Sequence, residues 1–147
     1  MDIARYLDTI DRLCSRPFPA RHGWSDVGRA GPGYWTAELA AGGGEEDGDE
    51  DCGGRAVEQL EAYREGIAQR LDERLGTRSP WSTLTLQVRM ARGEEIPEPW
   101  GSVGVLLDEM SLWQASDSDR WVAVGVAACG EPEDFRLFAV VTEIDPP

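Results

Sequence analysis

The chain contains no lysine and no asparagine, so all 14 of its basic residues are arginine. Schiff-base chemistry and a phosphate-loop lysine are thereby excluded. The arginine bias also fits a GC-rich, bacterial coding sequence. Histidine occurs once, as His22 in the loop sequence PARHGW. It could serve as a general base, but a histidine metal site usually needs further histidine or cysteine ligands, and none stands nearby. A loop-packing or solvent-facing role is therefore expected for it. Cysteine occurs three times, at widely spaced Cys14, Cys52 and Cys129. An odd, scattered set suits neither a disulfide framework nor a zinc cluster, and it points to a reducing compartment. Long apolar runs are missing too. The longest, 121–129, is about half of what a bilayer crossing requires. The opening MDIARYLDTIDRLCSR has no secretory apolar core, so a cytoplasmic location and no membrane contact are expected.

Positive charge is the other shortage. The net charge is -14 over 147 residues. Segment 45–51 supplies six acids, and the remainder still carries 22 acids against 14 arginines, so the acidity is spread over the molecule. Such a field repels nucleic-acid phosphates and favours a basic protein partner. Apolar residues at 41% and charged residues at 29% place the chain among globular domains, with length for a single one, 1–147.

Hydrophobic spacing predicts a helix over 2–15, where Ile3, Leu7, Ile10 and Cys14 share a stripe with Leu13 beside it, ended by Pro17. A turn-rich stretch and a short strand over 34–40 follow. The run AGGGEEDGDEDCGG (41–54) reads as a flexible, acidic, glycine-rich loop. The strongest helical period lies over 55–75, through Val57, Leu60, Tyr63, Ile67, Leu71 and Leu75, with Gly76 as terminator. Beyond it, Leu84, Leu86, Val88 and Met90 alternate with polar residues, as in a half-buried strand. Further strands are expected at 103–107, 112–115, 121–129 and 135–144. The fold class that results is α+β, with two helices packed on one face of a mainly antiparallel sheet of about five strands. Its C-terminal half is a meander, and the other sheet face is wetter.

Catalytic signatures are lacking. No Gly-x-Ser-x-Gly elbow occurs, and the cluster GRAGPG precedes a strand, where a dinucleotide loop needs a helix to follow. Gly53 and Gly54 do precede a helix, but six acids just upstream repel an anion there. Asp47, Asp49, Asp51 and Glu58 stand at positions 1, 3, 5 and 12 of a calcium-loop template, although the glycine required at position 6 is Cys52. Carboxylates gather at the turns of the expected meander, and a pair of them could in principle serve glycoside hydrolysis. A small meander rarely offers the sugar cleft that this chemistry needs. Solvated hairpin tips are the plainer account.

Six tryptophans are many for this length. Trp113 and Trp121 flank the turn Ser116-Asp117-Ser118-Asp119 and are expected to face each other across a hairpin. With Val122, Val124 and Val126 assigned to the core face, both indoles fall on the outer face. Trp100, Glu94, Glu98, Asp117 and Asp119 are expected at the same end. Aromatics rimmed by carboxylates suit an arginine-rich partner surface. The leading expectation is a non-enzymatic protein-binding module without cofactors. Bacterial immunity proteins that neutralise toxins are similar in size, charge and class. A structural or assembly subunit, or a small-molecule or calcium-binding domain, are the alternatives.

Overall fold

The computed structural model describes residues 3–26, 28–43, 52–82, 84–98, 100–106, 109–115, 120–129 and 134–144. Among them are four helices and seven strands, where the sequence pattern predicts two helices and about five strands. Helix α1 (Ile3–Ser15) precedes strands β1 (Gly23–Trp24), β2 (Arg29–Gly31) and β3 (Tyr34–Gly43), and then helix α2 (Cys52–Leu75). Strand β4 (Ser79–Ser82), helices α3 (Leu84–Ala91) and α4 (Trp100–Leu106), and strands β5 (Glu109–Ala115), β6 (Arg120–Cys129) and β7 (Asp134–Thr142) complete it. All strand pairs are antiparallel, in the order β1-β2-β3-β7-β6-β5-β4. The α+β class and the C-terminal β5-β6-β7 meander are therefore as the alternation of side chains predicts.

Helices α1 and α2 cover the first face of the sheet. Their stripes, Tyr6, Leu7, Ile10 and Leu13 on α1 and Leu60, Ile67, Ala68 and Leu71 on α2, are buried. They pack on Trp35, Ala37, Trp113, Val122, Val124, Leu137, Ala139 and Val141. At about 25 cal/mol per Å² of apolar surface, each of these large side chains contributes about 1.5–3 kcal/mol on burial. Arg120 fixes the end of α1 to the sheet. Its Nη1 donates to the carbonyls of Leu13 and Arg16, and its guanidinium stacks 4.1 Å above the Phe18 ring.

The second face differs from expectation. Residues 84–91 and 100–106 are helices, not strands, and they cover part of this face, so helices lie on both sides of the sheet. The helical turn splits the alternating set. Leu86 is buried and Met90 packs beside it, whereas Leu84 and Val88 point away at 64% and 43% exposure. Gly104 makes this packing feasible, because a Cβ there would stand 3.2 Å from Leu86 Cδ1 and 3.4 Å from Met90 Cε. Trp100, Val103, Met110, Leu112, Ala123, Ala127 and Val140 complete the second core. Of the stretch 41–54 expected as a loop, 41–43 belong to β3 and 52–54 to α2, and 44–51 lie outside the described residues.

Candidate functional site

Strand pairing assembles a cross-sheet row that no local pattern announces. Gln114 pairs with Trp121, Trp121 with Thr142, Thr142 with Tyr34, and Tyr34 with Gly31. Paired residues share a face, and this row lies on the second face, because Trp113, Val122, Val141 and Trp35 point to the first. Trp24 pairs with Arg29, two residues from Gly31, and so joins the same face at the sheet edge. Its indole is 86% exposed.

His22 closes the row. Its Nδ1 lies 2.9 Å from the Tyr34 hydroxyl, and the two rings tilt at 46° with centroids 5.7 Å apart. Tyr34 is buried, and that burial holds its phenol above the ordinary tyrosine range. Glu98 adds to the rise and Arg29 opposes it. A phenol that keeps its proton can donate it to Nδ1, so the pair pins an exposed loop histidine to a buried ring. The contact requires a bare backbone at Gly31, where a Cβ would stand 2.6 Å from His22 Nδ1 and 2.7 Å from Tyr34 Cε1. Gly31→Ala is expected to displace His22 and to lower stability by about 2 kcal/mol, as overpacking does. Urea unfolding and the His22 ring resonances would check it.

The C-terminal end of β7 supports the row from below. Thr142 Oγ1 donates to the Gly33 carbonyl at 2.7 Å and accepts the Ile144 amide at 3.0 Å. Exposed Glu143 follows, its amide donating to the Gly33 carbonyl.

Of the residues singled out in the sequence, Trp121 and Glu98 belong to this end of the second face, with Trp121 half-buried. Trp100 is near but enclosed: it is fully buried, with Nε1 donating to the Ile144 carbonyl at 2.9 Å. Glu94 is exposed and ion-paired with Arg89 at 2.7 Å. Trp113 does not belong. It faces the first core at 2% exposure, and its Nε1 donates to Asp72 Oδ1 at 2.9 Å. The expected indole pair is thus corrected: Trp113 opposes Val122, and Trp121 opposes Gln114. Val122 and Val124 do face a core, but in company with Trp113. Asp117 and Asp119 lie outside the described residues.

For the calcium template, Asp47, Asp49 and Asp51 also lie outside the described residues, and Glu58 is exposed on α2. That helix begins at Cys52, the sixth template position, so helical backbone stands where the template needs a turn. Among the described residues, no group of three or more His, Cys, Asp or Glu is placed to hold a metal ion. No helix among them is long and apolar enough to cross a membrane.

This arrangement combines an exposed indole, a half-buried one, a histidine fixed by a phenol, and acids at the margin. Comparison with protein-family models, with curated proteins and with solved structures gives no match for this chain.

Proposed function

We propose that the chain is a non-enzymatic binding module that recognises a basic protein partner through the end of the second sheet face. Trp24, His22 and Trp121 supply the contact surface, and Glu98 and Glu143 its acidic margin. The observation that carries this is the Trp24 indole, held on an edge strand at 86% exposure, two residues along the chain from the fixed His22. Tryptophan is enriched among the residues that dominate binding energy, and leaving one in water wastes its apolar area unless a partner covers it. The net charge of -14 gives the partner its sign and makes association fall with rising salt.

Titration of the purified chain with an arginine-rich peptide and a panel of basic single-domain proteins, at low and high salt, tests it. At least one partner is expected to bind, more weakly as salt rises. Trp24→Ala is expected to weaken that complex about 30-fold, the scale of an interface hot spot. The melting temperature should be unchanged, because the indole has no core contact to lose. Binding that ignores both salt and Trp24, or no binding across the panel, overturns the proposal.

A further inference from the structure

On the other side of the sheet, α1 and α2 do not close completely on each other. They leave a groove of about 530 Å³, within the range of small-molecule sites. Ile3, Ala4 and Leu7 of α1 and Gly66 of α2 supply its apolar lining. Gly66 is part of the device, since a Cβ there would come within 2.5 Å of Ile3 Cδ1. The bare backbone there leaves room for the Ile3 methyl to lean onto α2.

The polar walls are unequally satisfied. Asp11 is bound by Arg74 at 2.6 Å, and Asp8 by Arg12 at 3.0 Å. Arg70 lines the same groove one helical turn from Arg74 and is exposed. Among the described residues no carboxylate pairs with it, although acids outnumber arginines two to one in the chain. A guanidinium fork on a groove with an apolar lining, both of whose lining acids are already ion-paired, complements one ligand chemistry.

We propose that this groove binds a small amphipathic monocarboxylate, its carboxylate on Arg70 and its alkyl body along Ile3, Ala4 and Leu7. The site is separated by the sheet from the Trp24 surface and does not depend on it, so either can fail alone.

Octanoate is the probe, followed by amide chemical-shift mapping and calorimetry on the full chain. Saturable shifts are expected in residues 3–11 and 66–74. Octanol and octylamine, which share the alkyl body, should bind at least about tenfold more weakly, as should octanoate to Arg70→Gln, since one charge-assisted hydrogen bond is at stake. Arg70→Lys keeps the charge without the fork and should recover part of the loss. Ala4→Leu, which adds bulk to the apolar lining, should weaken the shifts while Arg70 stays in place. Octanol binding as well as octanoate, indifference to Arg70→Gln, or shifts that do not saturate or that fall elsewhere would each overturn the assignment.

Discussion

Replacing Trp100 with alanine is expected to remove about 4 kcal/mol of folding stability, the scale measured for fully buried tryptophan and phenylalanine. The indole is completely buried in the second core, which it shares with Leu86, Val103, Met110 and Leu112. Truncation removes its transfer free energy and leaves a cavity that three surrounding elements, α3, α4 and the sheet, cannot all collapse into. It also strips the Ile144 carbonyl of its donor at the point where the chain leaves β7. Urea unfolding should show a lower midpoint at an unchanged slope, since the surface exposed on unfolding scarcely alters. Trp100→Phe restores most of the volume but not the N–H, and should cost about 1–2 kcal/mol. The expected strand order places Trp100 at the partner-binding end of the sheet. In a folded Trp100→Phe protein, partner affinity should stay within about twofold of the parent, because an enclosed ring offers a partner nothing to touch. A loss below about 1 kcal/mol for Trp100→Ala would show that α4 does not seal this face.

The case of Trp100 indicates which features were legible in the sequence. The long helices were, because Leu60, Ile67 and Leu71 recur at a spacing that only a helix places on one side. The strands after residue 109 were as well, through alternation and polar turns. Residues 84–91 were not. Leu84, Leu86, Val88 and Met90 satisfy a strand's period, and the helix wins because it sends Leu86 and Met90 together onto α4. Two local signals favoured it: the Ser82 hydroxyl accepts the Leu84 amide, and Gly93 adopts φ +88 where the Met90 carbonyl receives its amide.

The misplacement of Trp113 was a matter of one residue. Opposing Trp113 to Trp121 requires three residues between the last paired positions, whereas Ala115 pairs with Arg120 across four. A slip of one sends every side chain to the other face. The row itself was illegible for another reason. Tyr34 and Thr142 meet only because β3 pairs with β7, more than a hundred residues further along, and no local spacing encodes that.

Asp72→Ala is expected to cost about 3 kcal/mol, because one carboxylate on α2 satisfies donors from two other parts of the fold. Oδ1 accepts the Trp113 indole N–H at 2.9 Å and the Arg78 amide at 3.0 Å, and Oδ2 accepts Arg78 Nη2 at 2.8 Å. Arg78 in turn forks onto Glu65, with contacts of 2.9 and 3.1 Å. Helix α2, the turn into β4 and the middle of β5 are thus tied at a single point. Losing the acid leaves a buried indole N–H unsatisfied and an arginine without half of its partners. Asp72→Asn keeps an acceptor for Trp113 and should cost only about 1 kcal/mol, which separates the hydrogen bond from the ion pair. The same network fixes the response to acid. The Trp113 donor and Arg78 hold the Asp72 carboxyl below the ordinary aspartate range, and Arg78 holds Glu65 below the glutamate range. Both folded values lie under the unfolded ones, so the stabilisation is complete above about pH 5 and is lost as pH falls through the folded values. Stability measured from pH 6 down to pH 2 should therefore drop steeply below about pH 4 in the parent and less steeply in Asp72→Asn. Parallel curves would mean that Asp72 is not the group that senses acid.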